Sequence, residues 1–173
     1  MLESSSLPSQ IRPMVHADLE QVLSWRNHPD VRRYMFTKHE ITLYEHQRWF
    51  EHTSTDTSKH LLVFELDHQP VGFVNLSKVD GDRVADWGFY LAPAAPKGIG
   101  RQFGRATLNH AFFKLKLHKI NGEALATNER SIKFHQSLGF AEQIAQRHKH
   151  FDGDNYRDVI RFSLLDREWQ TKP

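Results

Sequence analysis

The stretch Leu91-Ala92-Pro93-Ala94-Ala95-Pro96-Lys97-Gly98-Ile99-Gly100-Arg101 is where the chain changes period. Before it, Arg83 to Leu91 reads as a strand. After it, Gly104, Leu108, Ala111, Phe112 and Leu115 recur at helical spacing and give one small-and-apolar face. A strand, a tight glycine-containing loop and a helix together make an anion site. The first helical turn has unpaired N–H groups, and the helix dipole favours negative charge there. Gly98 and Gly100 let the backbone come close to a ligand, since no Cβ intervenes. Lys97, Arg101 and Arg105 add cations around the same helix start. The pattern is not a dinucleotide fingerprint, because Gly104 falls one residue too late. Nor is it a Walker loop, because Arg101-Gln102 stands where Lys-Ser/Thr is needed.

Downstream, Ile120 to Leu125 reads as a strand and Ser131 to Leu138 as a short helix ended by Gly139. Two last strands, about Ala141 to His148 and Asn155 to Leu165, flank the turn Phe151-Asp152-Gly153-Asp154. Upstream, Leu61 to Leu66 and Val71 to Leu76 flank a hairpin turn at Asp67-His68-Gln69-Pro70. A first strand is expected at Ile11 to Met14 and a helix over Ala17 to Trp25, broken at Asn27-His28-Pro29-Asp30. A second helix starts near Thr42, where Thr42 and Glu45 have the form of a capping box. Leu43, His46, Trp49 and Phe50 would share one side of it. The order β-α-α-β-β-β-α-β-α-β-β predicts an α+β fold. It has a single mixed, mostly antiparallel sheet of about seven strands flanked by about four helices.

The chain has 173 residues, enough for one domain with a real core. Residues 11–173 are expected to form that single domain, and the polar, Ser-rich residues 1–10 a flexible tail. No apolar run approaches the roughly 20 residues needed to span a bilayer, so no membrane partner is expected. There is no cysteine, which removes disulfides, thiolate ligands and a cysteine nucleophile together. A cytoplasmic location fits that composition. A formal charge of +2 gives no argument for a nucleic-acid partner. The twelve histidines are scattered rather than clustered, so no metal site is expected. A homodimer is compatible with the sequence.

The segment from Leu91 to Phe140 resembles the coenzyme-binding half of the GNAT superfamily of N-acetyltransferases. That family carries a Gln/Arg-x-x-Gly-x-Gly/Ala loop, here Ala95-Pro96-Lys97-Gly98-Ile99-Gly100, with Ala at the first position. About thirty residues on it carries Asn-x-x-Ala/Ser-x-x-Phe/Leu-Tyr-x-x-x-Gly-Phe. Here Asn128, Ser131, Phe134, Gly139 and Phe140 match, and His135 replaces the tyrosine. The resemblance implies the GNAT fold and acetyl-CoA as co-substrate. It implies that backbone amides of Lys97, Gly98, Ile99, Gly100 and Arg101 hold the pyrophosphate. The strand ending at Leu91 would pair with the pantetheine arm, whose far side Asn128, Ser131 and Phe134 would line. The Leu91 N–H would point at the thioester oxygen.

Trp25 to Arg32, Trp87-Gly88-Phe89-Tyr90, Leu117-His118-Lys119 and Phe134-His135 are together similar to bacterial acetyltransferases of the pseudaminic acid pathway. Those acetylate the 4-amino group of a UDP-linked 4-amino-4,6-dideoxy-N-acetyl-altrosamine. This resemblance implies a nucleotide-sugar substrate. It marks Arg26, Met35, Phe36, His46, Trp49, Ser77, Lys78 and Tyr90 as acceptor residues. Acceptors on ribosomal-protein N-termini or polyamines are alternatives, as is a coenzyme-binding module without catalysis.

Acyl transfer to an amine needs a base, a donor to the carbonyl oxygen and an acid for the leaving thiolate. Glu123, in Asn121-Gly122-Glu123-Ala124-Leu125, is the expected base, because a carboxylate among apolar neighbours takes up a proton more readily. His135, in the tyrosine's place, is the expected acid, because an imidazolium can protonate a thiolate; the alternative is that the place is vacated and water or a second residue delivers the proton. Transfer would then be direct, with no covalent enzyme intermediate.

Overall fold

The computed structural model describes residues 7–170. Seven strands form one mixed sheet in the order β1-β2-β3-β4-β5-β7-β6. They are β1 (Ser9–Pro13), β2 (Lys59–Leu66), β3 (Gln69–Lys78), β4 (Val84–Leu91), β5 (Lys119–Leu125), β6 (Ala141–Phe151) and β7 (Tyr156–Leu165). Six α-helices accompany them: α1 (Leu19–Asn27), α2 (Pro29–Arg32), α3 (Leu43–Thr53), α4 (Ile99–Asn109), α5 (Glu129–Leu138) and α6 (Asp166–Gln170). Every neighbouring pair is antiparallel except β4 with β5. The expected α+β architecture is therefore present. No helix among the described residues is long and apolar enough to cross a membrane.

The run Leu61 to Leu66 is apolar on both faces because both faces of the sheet are covered. Leu62, Phe64 and Leu66 alternate into a core shared with Phe103, Leu108, Leu138 and Phe162, beneath α4 and α5. Leu61 and Val63 alternate into a second core with Leu19, Val22, Trp25 and Phe73, beneath α1 and α3. Gly104 lets α5 close on α4: a Cβ there would meet Leu138 at 2.6 Å.

Several boundaries differ from the sequence reading. Ser9 and Gln10, expected in the tail, pair with Leu66 and Glu65 in β1, and residues 1–6 lie outside the described residues. The first helix breaks after Asn27 as expected, with His28 extended, but the chain then makes a separate turn of helix, α2, because proline is tolerated at a first helical position. The β2–β3 turn is tighter than expected. Asp67 and His68 both take left-handed backbone (φ 49° and 62°), and Gln69 and Pro70 already belong to β3. At Thr42 the side chain accepts from the Glu45 N–H at 3.1 Å, so α3 has its expected cap. Leu43, however, is exposed and not on the buried side of α3.

Candidate active site

Among the described residues β4 and β5 are the only parallel neighbours, and they pair over three residues, Val84 to Asp86 with Lys119 to Asn121. Beyond Asp86 the two strands part, while β4 continues on β3 as far as Leu91. The parting frees the β4 edge that β5 would otherwise cover. The Ala92 N–H donates to Val71 O at 2.8 Å, towards β3. Strand alternation therefore turns the N–H groups of Leu91 and Phe89 the other way, into the opening. This is the geometry expected of Leu91 as a donor to an extended ligand.

The loop after β4 turns the chain into α4. Gly98 is the N-cap, with φ 83°, and no side chain caps the helix. Only glycine takes that backbone without cost, and open space surrounds its Cα. Ile99 is buried and anchors the turn, whereas Lys97, Gly98 and Arg101 are exposed. Gly100 sits against the Phe134 ring, whose carbons would lie 3.7 Å from an added Cβ. Among the described residues no side chain caps the first-turn amides of α4; the Ile99 N–H, expected to face the ligand, donates instead to Pro96 O at 3.3 Å, and the rest of the exposed loop fits a diphosphate.

Across the opening stands α5. Asn128 caps it by accepting from the Ser131 N–H at 3.2 Å. Phe134 is half-buried and packs on Phe89 with ring centroids 5.0 Å apart. Ser131 is half-buried beside His135.

His135 itself is corrected. It is fully buried. Its Nε2 accepts from Trp87 Nε1 at 3.0 Å, and its Nδ1 lies 2.8 Å from Ser131 O, which places the ring proton on Nδ1. The ring stacks on Phe162 at 4.7 Å. Burial pushes its pKa down to about 4, against a smaller opposing effect of the Ser131 carbonyl. A neutral imidazole with both nitrogens engaged does not supply a proton to a thiolate near neutral pH. Its position matches the motif, but its chemistry is that of a packed, hydrogen-bonded core group.

Glu123 is also not where its sequence neighbours suggested. Gly122 and Ala124 face the α4–α5 core, so Glu123 points to the opposite face, that of Phe73 and Tyr90. There its carboxylate accepts from Lys149 Nζ at 2.9 Å and Arg161 Nη1 at 3.2 Å. The apolar surroundings expected to favour proton uptake are absent. Arg161 also approaches Asp86 at 3.7 Å, and Asn121 donates to Asp86 at 3.0 Å. Sequence reading passed over Asp86, Asn121, Lys149 and Arg161, because their meeting depends on strand register.

On the same face lies a packed aromatic cluster between the sheet and α1–α3. His46 stacks on Trp49 at 5.2 Å, Trp49 meets Phe73 edge-on at 6.0 Å, and Phe73 meets Tyr90 at 5.2 Å. Arg26 is buried there. Its Nη2 donates to Thr37 O at 3.0 Å, and its Nη1 has no partner among the described residues. Burial lowers the Arg26 pKa and raises that of Tyr90, and the two groups feel each other's charge. Burial likewise lowers the pKa of His46, whose Nε2 has no partner among the described residues. Phe36 packs on His150 of β6 at 4.9 Å, and neighbouring Met35 is half-buried. Ser77 shares the face with Phe73 and accepts from Lys59 at 3.3 Å. Lys78 does not join them. Alternation sends it to the opposite face with Leu76, where its ammonium lies 3.7 Å from Asp82.

Residues 10–141 match the family described as the acetyltransferase (GNAT) domain. The chain is 30% identical over 124 residues to acetyltransferase PseH of Campylobacter jejuni subsp. jejuni serotype O:23/36, covering 71% of this chain and 76% of that protein. It is 25% identical over 162 residues to spermidine N(1)-acetyltransferase of Escherichia coli K12, covering 92% of this chain and 87% of that one. Among solved structures, spermidine N-acetyltransferase from Vibrio cholerae in complex with CoA and spermine superposes with a TM-score of 0.87 at 22% identity. That superposition covers 94% of this chain and 98% of the other. The parted parallel strands, the uncapped helix start and the family match agree, and the chain belongs to the GNAT acetyltransferases, enzymes that use acetyl-CoA.

Proposed function

We propose that this acetyltransferase acetylates the 4-amino group of a UDP-linked 4-amino-4,6-dideoxy-N-acetyl-altrosamine. The observation that carries this reading is Arg26, a buried guanidinium whose Nη1 has no partner among the described residues and which lies close enough to the Tyr90 hydroxyl, in the aromatic cluster, to feel its charge. A buried cation with an unused donor favours an anion, and the rings offer a face to a base. A nucleoside diphosphate has both. The similarity to PseH over most of the chain supports the same acceptor class.

The acetyl group comes from acetyl-CoA. The amides of residues 97–101 hold its diphosphate, the β4 edge pairs with its arm, and the Leu91 N–H faces the thioester oxygen. Asn128, Ser131 and Phe134 border the arm from α5. Glu123, on the acceptor face, accepts a hydrogen bond from the attacking amine or its water and so aims it at the opening.

A polyamine acceptor is the second reading, favoured by one observation: the similarity to the Escherichia coli spermidine enzyme extends over more of the chain. A thiol-release assay separates the two. Acetyl-CoA is mixed with the UDP-4-amino sugar, with spermidine and with a ribosomal-protein N-terminal peptide in separate reactions. Coenzyme A should appear with the sugar. Arg26→Met should raise the KM for the sugar roughly tenfold or more, the loss expected of one buried charge-assisted bond, and leave the KM for acetyl-CoA unchanged. Release with spermidine or peptide alone would overturn the proposal.

A further inference from the structure

We propose that Lys149 and Arg161 are specificity-determining residues, which neutralise the carboxylates of the acceptor floor and thereby turn polycationic amines away. The inference rests on the sugar-nucleotide reading above and names what enforces it.

Directly paired residues of neighbouring strands share a face. Ser77, Asp86 and Asn121 are consecutive partners across β3, β4 and β5, and Glu123 is the partner of Arg161 across β5 and β7. All therefore lie on the face of Phe73 and Tyr90. Two carboxylates, Asp86 and Glu123, border the opening on that face. Left to themselves they would attract a polyamine, which carries its charge as spaced ammonium groups.

They are not left to themselves. Arg161 bridges them, with Nη1 at 3.2 Å from Glu123 and Nη2 at 3.7 Å from Asp86. Lys149 arrives by an irregularity in β6. The register shifts between Gln146 and His150, so that three residues of β6 stand opposite one of β7. His148, within that bulge, takes left-handed backbone (φ 49°), and its N–H donates to Asp158 Oδ1 at 2.9 Å. A bulge re-aims the side chains it carries. Here Lys149 Nζ reaches Glu123 at 2.9 Å, and His150 meets the Phe36 ring. One local distortion thus supplies both a cation to the floor and a contact to Phe36. The charges on the floor are then Asp86 and Glu123 against Arg161 and Lys149, with Lys59 beside Ser77 and Arg26 in the aromatic cluster as further cations. A spaced polycation meets no uncompensated acid there, whereas a neutral sugar carrying a diphosphate meets no excess of acid.

The test compares wild type with Lys149→Met, Lys149→Arg and Arg161→Met, measuring kcat/KM for the UDP-4-amino sugar and for spermidine. The expected result is a fall of roughly tenfold or more in the sugar-to-spermidine ratio for each Met variant, with spermidine gaining through a lower KM. Lys149→Arg should hold the ratio near that of wild type. A purely structural role would lower both activities together and leave the ratio alone. That outcome, or an unmoved ratio in well-folded Met variants of an enzyme that prefers the sugar, would sink the inference and spare its parent. A wild-type enzyme that prefers spermidine would sink both.

Discussion

Gly122→Ala should unfold at a markedly lower temperature than wild type. Gly122 lies one residue past the last β4–β5 pair, Asp86 with Asn121. A Cβ there would fall 2.5 Å from His135 Nε2 and 2.6 Å from Trp87 Nε1. Those two atoms are hydrogen-bonded to each other, and both rings are buried. Neither ring is the loose end of a flexible chain, so the methyl must break their bond or push β5 away. Overpacking of this kind costs about 1–3 kcal/mol, and a buried hydrogen bond broken without replacement adds a comparable amount. Roughly 3 kcal/mol in a domain of this size lowers Tm by about 6–12 °C. Coenzyme A binding should weaken too, because the same contact sits where β4 and β5 part. Trp87→Phe in the Gly122→Ala background removes the indole nitrogen and should recover part of the loss. A Gly122→Ala melt within about 2 °C of wild type would show that the bond between Trp87 and His135 yields freely.

What was legible in the sequence was whatever depends on neighbours along the chain. The glycine loop before α4, the Thr42 cap and the alternating strands follow from local backbone chemistry, and each element formed near its expected place. The family motifs located the opening as well, because Asn128 and Ser131 sit on the helix beside it. Long-range register was not legible. Nothing in Asn121 to Leu125 says that Glu123 meets Arg161, or that a bulge some twenty residues later brings in Lys149. The apolar letters flanking Glu123 belong to the opposite face of β5, which is why they misled the reading of its surroundings. His135 shows a second limit. Its place in the motif is read along the chain, but its chemistry is set by Trp87, forty-eight residues away, and by the Phe162 ring.

That environment makes the second large prediction, which concerns acid. His135 titrates at about 4 in the folded chain and near 6.5 when unfolded. Its folded pKa is depressed, so the unfolded state binds the extra proton. The stability tied to this residue is fully present above pH 6.5 and is lost as pH falls towards 4. The span corresponds to about 3 kcal/mol, since a protonated Nε2 could no longer accept from Trp87. Burial depresses His46, His60 and His110 in the same direction, so they add to the slope. Urea titrations at pH 7.5 and 4.5 should therefore show a large loss of stability in wild type. His135→Gln keeps an acceptor for Trp87 without a titrating ring, and its loss over the same interval should be smaller by about 3 kcal/mol. Its turnover at neutral pH should stay within about threefold of wild type, because general acid catalysis, which supplies roughly a hundredfold or more, does not reside there. An equal pH slope in the two proteins would mean that His135 is protonated within the fold. A turnover collapsed together with an altered pH–rate profile would return to it the acid role that its place in the motif suggests.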